Sequence, residues 1–319
     1  MSNLEAEPAE IDCLPETSAG VEILEPRQVP LGGPRAMNVQ RTLPQRRRSL
    51  VGAWCFADHY NTGGSGPGMD VPPHPHTGLQ TVSWLFAGEI EHRDSAGVHA
   101  MVRPGELNLM TAGAGICHSE VSTDATHFLH GVQLWVALPD SARHTDRAFD
   151  HYAPSPITRS GVTLRVFLGA LAGGRSPVVT HTPLLGAQID LPAGASVDLE
   201  VDPGFEHGLL LDRGDATVAG AAVRPGELAY VGTGADVLTV ANTGTEPARA
   251  VLLGGTPFGE ELLMWWNFVG RSHEEIAEFR AQWQAQSARF GRVSGYRGAT
   301  DWLPAPPMPT TRLRPRRTM

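Results

Sequence analysis

Pro73-His74-Pro75-His76-Thr77-Gly78-Leu79-Gln80-Thr81-Val82-Ser83-Trp84-Leu85-Phe86 is the stretch on which the reading of the chain turns. Its second half alternates and is rich in β-formers, as a half-buried strand requires. Its first half carries two histidines spaced i, i+2, and in an extended segment such residues point the same way. Downstream, Gly88 marks a turn, residues 89–94 return, Ser95-Ala96-Gly97 turns again, and short strands follow at 101–103 and 107–110. The run closes on Met110-Thr111-Ala112-Gly113-Ala114-Gly115-Ile116-Cys117-His118-Ser119-Glu120, where His118 and Glu120 repeat the i, i+2 spacing. A folded-back sheet that sets the two pairs opposite each other offers three imidazoles and one carboxylate to a single ion. Nitrogen and oxygen ligands without a thiolate suit iron, nickel, copper, manganese or zinc. Three or four protein ligands leave positions for water, a chelating substrate or dioxygen.

The same punctuation runs on either side. Residues 50–56 read as a buried strand with Trp54 and Phe56 on one face, and 128–138 as another with Leu134, Val136 and Leu138 on one alternation. Antiparallel strands at short, even spacing predict an all-β fold built on a small barrel or double-sheet jelly roll. The pattern restarts after 160. Arg103-Pro104-Gly105-Glu106-Leu107 returns as Arg224-Pro225-Gly226-Glu227-Leu228, which points to an internal duplication. The second copy keeps His181 and His207 but no paired ligand motif, so it is expected to be a barrel without metal. The expected layout is a disordered tail over 1–20, a metal-binding barrel over 21–140 and a linker over 141–160. A second barrel with a closing helix at 273–289 follows over 161–291, then a tail over 292–319. Ser272 can cap that helix, with Glu274 and Glu275 in its first turn.

Composition narrows the function. The chain has 319 residues, with 36 glycines and 26 prolines, and only 18% of its residues are charged, which favours many short strands over long helices. A formal net charge of −9 argues against binding a phosphate backbone, and Arg46-Arg47-Arg48 reads as a solvated loop, so no nucleic-acid partner is expected. Three scattered cysteines suit reduced thiols in a cytoplasmic protein. Neither a signal peptide nor an apolar run long enough for a bilayer is evident. Cys117 falls on the alternation opposite to His118 and reads as a small buried residue. Isolated histidines such as His59, His92 and His130 read as surface or satisfied core residues. Asp94 reads as turn chemistry.

Three segments together carry a family signature: 73–82, then Gly88-Glu89-Ile90-Glu91-His92-Arg93-Asp94-Ser95, then 110–120. In order and spacing they resemble the pirin family, and the resemblance extends from about residue 27 to 291. It implies two tandem cupin barrels with a C-terminal helix packed on them. The first barrel would hold a metal on His74, His76, His118 and Glu120. Fe(II) is the usual ion, with Ni, Cu, Mn, Zn or Co as alternatives. Several members look like quercetin 2,3-dioxygenases, which open a flavonol with O2 and release carbon monoxide. Others are described as protein-binding regulators of transcription or metabolism. The first implication makes Glu120 both ligand and base, with a small aromatic, flavonol-like substrate held between apolar walls for which Trp54, Phe56, Trp84 and Met110 are candidates. The alternative is an iron-dependent regulator with a protein partner and no turnover. One position departs from the pattern: Gln80 stands where many members carry a glutamate.

Overall fold

The computed structural model describes residues 20–31, 37–62, 68–298 and 300–315; but for Gly20, the tail expected over 1–20 lies outside them. Strands β1 (Glu22–Leu24), β2 (Arg27–Leu31) and β3 (Met37–Leu43) lead into β4 (Trp54–Asn61), β5 (Asp70–His76), β6 (Leu79–Ala87) and β7 (Ile90–Asp94). Then come β8 (His99–Val102), β9 (Leu107–Thr111), β10 (Ile116–Ser122) and β11 (His130–Ala137). The stretch expected as a linker instead holds β12 (Ala148–Tyr152) and β13 (Ile157–Arg159). The second half comprises β14 (Val162–Leu168), β15 (Ala170–Leu171), β16 (Gly174–Arg175), β17 (Leu184–Leu191), β18 (Ser196–Glu200) and β19 (Glu206–Arg213). It continues through β20 (Ala216–Val218), β21 (Ala221–Val223), β22 (Leu228–Val231), β23 (Val237–Asn242) and β24 (Ala248–Gly255). The hairpin β25 (Leu263–Trp265) and β26 (Phe268–Gly270) and the helix α1 (His273–Gln284) close the fold.

The duplication is visible strand by strand. The first half sets a sheet ordered β12-β9-β6-β11-β4-β3-β2 against one ordered β5-β10-β7-β8. The second half repeats both, as β1-β22-β19-β24-β17-β14-β13 and β18-β23-β20-β21. The two copies of the five-residue motif make the same turn. Gly105 N–H donates to Leu85 O at 3.1 Å and Glu106 N–H to Arg103 O at 3.2 Å; Gly226 donates to Leu211 O at 2.7 Å and Glu227 to Arg224 O at 3.0 Å. Both glycines sit at positive φ, 74° and 86°, where a Cβ would be strained. The added edge strands cross over. β12 extends the first sheet through β9, whereas β1 pairs with β22, Leu24 opposite Leu228. The strand that begins the expected N-terminal barrel therefore belongs to the second barrel's sheet.

A large apolar core lies between the two barrels, drawing Val51, Trp54, Val82, Trp84 and Leu134 from one side and Phe167, Leu184, Leu210, Val251 and Leu253 from the other. The buried apolar cluster inside the second barrel is built of aliphatic side chains. The first barrel has apolar clusters around Tyr60 and Met69 and around Phe56 and Trp135, while buried His74, His76, Gln80, Ser83, His118, Glu120 and Gln133 are polar.

The helix starts as the sequence implies: Ser272 Oγ accepts from Glu275 N–H, and Ile276, Phe279 and Trp283 are its buried stripe. It stops at Gln284, short of the expected 289, because Gln286 takes a left-handed φ of 50° that no helix can continue through. The chain beyond 291 is packed, not loose. Trp302 meets Trp283 edge-on at 5.3 Å, and Leu303 bridges two elements, accepting from Trp283 Nε1 and donating its N–H to Pro73 O at 2.8 Å.

Candidate metal centre

The His-Pro-His sequence works as a strand because β5 is an edge. Pro73 O accepts from Leu303 and Thr77 O accepts from Val269 N–H at 3.1 Å, so alternate residues of this segment face away from β10. Proline lacks an N–H to contribute, and at positions 73 and 75 the inter-strand ladder loses nothing. The residues between, His74 and His76, lie on β5 opposite His118 and Ile116 of β10. On its other side β10 pairs with β7, which sets His118 opposite Asp94 and Glu120 opposite His92. Three neighbouring strands thus each carry a histidine and a partner two residues on: His74-x-His76, His92-x-Asp94 and His118-x-Glu120.

All of these side chains are buried. His74, His76 and His118 bring a ligand nitrogen each within 4.8 Å of one another, and His118, Glu120 and His92 form a second group under the same limit. His76 Nε2 and His118 Nε2 are 3.0 Å apart. The outer nitrogens of the two β5 rings are committed: His74 Nδ1–H donates to Pro72 O at 2.8 Å and His76 Nδ1–H to Asn267 O at 3.2 Å. Their Nε2 atoms therefore present lone pairs. His74 Nε2 is buried without a hydrogen-bond partner, and the bare His76 Nε2 faces His118 Nε2. Burial drives all three imidazoles well below their usual range, and at His118 the neighbouring His74, His76 and His92 add to it. Three neutral imidazoles with convergent ring nitrogens beside a buried carboxylate are a donor set for a divalent transition metal. Glu120 Oε1 lies 3.3 Å from the Ser83 hydroxyl, which is also 2.8 Å from Gln133 Oε1.

The wall next to the histidines is aromatic. Trp135 stands edge-on to His76 at 5.1 Å and stacks on Phe56 at 4.1 Å, and the Arg41 guanidinium lies 4.2 Å from the Phe56 ring centre. Arg41 is itself held by a buried bidentate pair with Asp58, at 2.7 and 2.9 Å. On this face of β4 and β11, the Tyr60 hydroxyl, Gln133 Nε2 and Trp135 Nε1 are buried without partners. Burial first, then the Glu120 and Asp58 carboxylates, pushes the Tyr60 hydroxyl well above its usual range, so it remains a donor.

Of the four candidate wall residues, Phe56 and Met110 share a cluster with Trp135 and Ile116, but Trp54 and Trp84 do not reach it. A bulge explains Trp54. Phe56 pairs with Trp135 and Trp54 with the adjacent Val136, so the i, i+2 rule breaks between them. Trp54 Nε1 donates instead to Leu185 O and Gly254 O, and Trp84 Nε1 to Gln188 Oε1, all in the second barrel. Gln80 turns its amide N–H to Thr111 Oγ1 at 2.9 Å. Cys117 is buried, and burial raises its thiol to about 12, which makes it inert. Trp135, Tyr60 and His92 were missed. The first lay in plain view on the alternation opposite Leu134 and Val136; a lone histidine gave no such signal.

The repeat shows what the second barrel has in these places. With the two turns aligned, register equates His92 with Val218, His118 with Leu238 and Glu120 with Val240, and His74, opposite His118, with Leu199. All four replacements sit in the aliphatic core.

Residues 36–136 match the family model described as Pirin, and 186–291 match that of the Pirin C-terminal cupin domain. The chain belongs to the pirin family. It is 45% identical over 287 residues, 89% of either chain, to a Pseudomonas aeruginosa protein provisionally named as a quercetin 2,3-dioxygenase. It is 34% identical to a pirin-like protein of Caulobacter vibrioides, over 82% of this chain and 92% of that one. The crystal structure of a quercetin 2,3-dioxygenase from Acinetobacter baumannii superposes with a TM-score of 0.86 at 36% identity, covering 93% of this chain and 98% of the other. The two pirin barrels are thus cupins, and among the described residues no helix is long and apolar enough to cross a membrane.

Proposed function

We propose that this pirin is a metal-dependent dioxygenase of flavonol-type substrates, with His74, His76, His118 and Glu120 holding Fe(II). The observation that carries the reading is the trio of buried, neutral imidazoles whose ligand nitrogens converge beside a carboxylate. Iron bound there would supply Lewis acidity and open positions for a chelating hydroxy-ketone and for O2. Glu120, fully buried, accepts the proton of the substrate's 3-hydroxyl, giving the electron-rich enolate that dioxygen attacks. Trp135 and Phe56 form a flat, dry wall for a fused ring system. Tyr60, Gln133 and Trp135 have unspent N–H or O–H groups on that wall to orient ring oxygens. The similarity to proteins named as quercetin dioxygenases supports the substrate class. Cys55 and Cys117, free and buried, support a cytoplasmic setting.

Oxygen uptake by the iron-loaded protein tests the proposal. Quercetin should be consumed with release of carbon monoxide, a flavone lacking the 3-hydroxyl should not, and Glu120→Gln should lose about 100-fold in rate, within the range a general base contributes. No uptake with any flavonol or catechol would end the assignment.

A further inference from the structure

The metal ligands do not end the polar chain. His118 Nδ1 lies 3.4 Å from His92 Nδ1, and His92 Nε2 lies 3.3 Å from Asp94 Oδ2. Asp94 is fixed in turn, its Oδ1 accepting from Ala96 N–H at 2.8 Å and Val98 N–H at 3.0 Å. We propose that His92 and Asp94 form a relay that locks the His118 tautomer, making His92 a positioning residue and not a ligand. The inference rests on the reading of His118 as a ligand through Nε2.

With one proton on each ring, one arrangement of hydrogens satisfies the relay from Asp94 to His118 and keeps His118 Nε2 bare for a metal. Asp94 accepts only, so His92 must present Nε2–H to it. With that proton placed, His92 Nδ1 accepts the Nδ1–H of His118. That leaves His118 Nε2 as a lone pair, aimed at the place where His76 Nε2 also points. Reversing either ring sets two N–H groups, or two lone pairs, against each other inside the relay, whereas the bare Nε2 atoms of His118 and His76 are the pair a cation would join. A histidine ligand whose other nitrogen is fixed this way keeps both its ring orientation and its basicity. The second barrel supports a functional origin for the relay. Where His118 is replaced by Leu238, His92 is replaced by Val218, so the positioning group is absent from the copy that lacks the ligand.

The test is Ni(II) affinity of the metal-stripped full chain, measured by competition with a chelating indicator, with thermal unfolding of each metal-free variant as the folding control. Asp94→Asn keeps size and an oxygen for the turn but presents an N–H to His92, forcing the wrong tautomer back onto His118. His92→Leu removes the relay at similar volume. Both should weaken Ni(II) by about 10–100-fold, the usual effect of losing an orienting partner. His92→Gln, whose amide can accept from His118 and donate to Asp94, should restore most of the loss. Wild-type affinity in folded Asp94→Asn and His92→Leu would overturn the relay. So would complete loss of Ni(II) in His92→Leu with no rescue by glutamine, which would make His92 a ligand. If the unmodified chain takes up no Ni(II), the metal centre itself fails, and the relay with it.

Discussion

At the scale of single residues, the site is a set of histidines kept neutral by burial. Burial holds their folded pKa values well below the ordinary imidazole value of about 6.5. Between those depressed values and 6.5 the unfolded chain binds protons that the folded chain refuses, so stability falls as pH falls through that window. Each histidine contributes at most about 1.4 kcal/mol per pH unit. The metal-stripped protein should therefore show a lower urea midpoint at pH 5.5 than at 7.5, and an unchanged midpoint would contradict the burial of neutral rings. His76→Ala and His118→Ala should each abolish metal uptake, measured by elemental analysis, while leaving the metal-free unfolding temperature nearly intact, because apolar clusters hold the barrel. Global unfolding would show that the ion is structural. The candidate ligands His74, His76, His118 and Glu120 were legible because a period of two is written directly into the chain. His92 was not, since its role depends on a neighbour three strands further along the chain, and single histidines carry no period.

At the scale of elements, local rules worked wherever local chemistry decides. Alternation found the strands around residues 79–86 and 128–138, and Ser272 marked the start of α1. Ser272→Ala should cost about 1 kcal/mol through the lost cap, read as a shift in denaturant midpoint with the slope unchanged. Rules of alternation failed at the bulge in β4, where Trp54 and Phe56 part company, because one extra residue reverses every face beyond it. Polar composition likewise hid β12 and β13. Their faces are largely exposed, so they lack the apolar stripe by which a strand announces itself.

At the scale of the whole molecule, the two cupins are joined by more than apolar packing. Asp212 of the second barrel accepts from His59 and His130 of the first and pairs with Arg249 at 2.7 Å. Burial opposes its charge, yet the two histidine hydrogen bonds and Arg249 hold its carboxyl well below the usual range. Asp212→Ala should destabilise the chain by about 3–5 kcal/mol, since it strands a partly buried cation and two donors. A thermal midpoint close to wild type would show that the cluster is incidental. Nearby, Gly52 N–H donates to Glu206, and a Cβ at Gly52 would stand 2.7 Å from Gly255 Cα. Gly52→Ala should therefore lower the same midpoint, backbone here having no side chain to move aside. That two barrels exist was readable from the repeated Arg-Pro-Gly-Glu-Leu turn; how they embrace was not, because contacts between residues as distant as Trp54 and Gly254 leave no local trace. The crossover of β1 has its own corollary. During synthesis the opening strand emerges long before its partner β22 exists, and must wait, unpaired, for the far half of the polypeptide. Nature has in effect tied the first stitch to the last seam: severing the chain near residue 155 would leave one fragment trailing a loose ribbon and the other with a raw border, and only their reunion would make either whole.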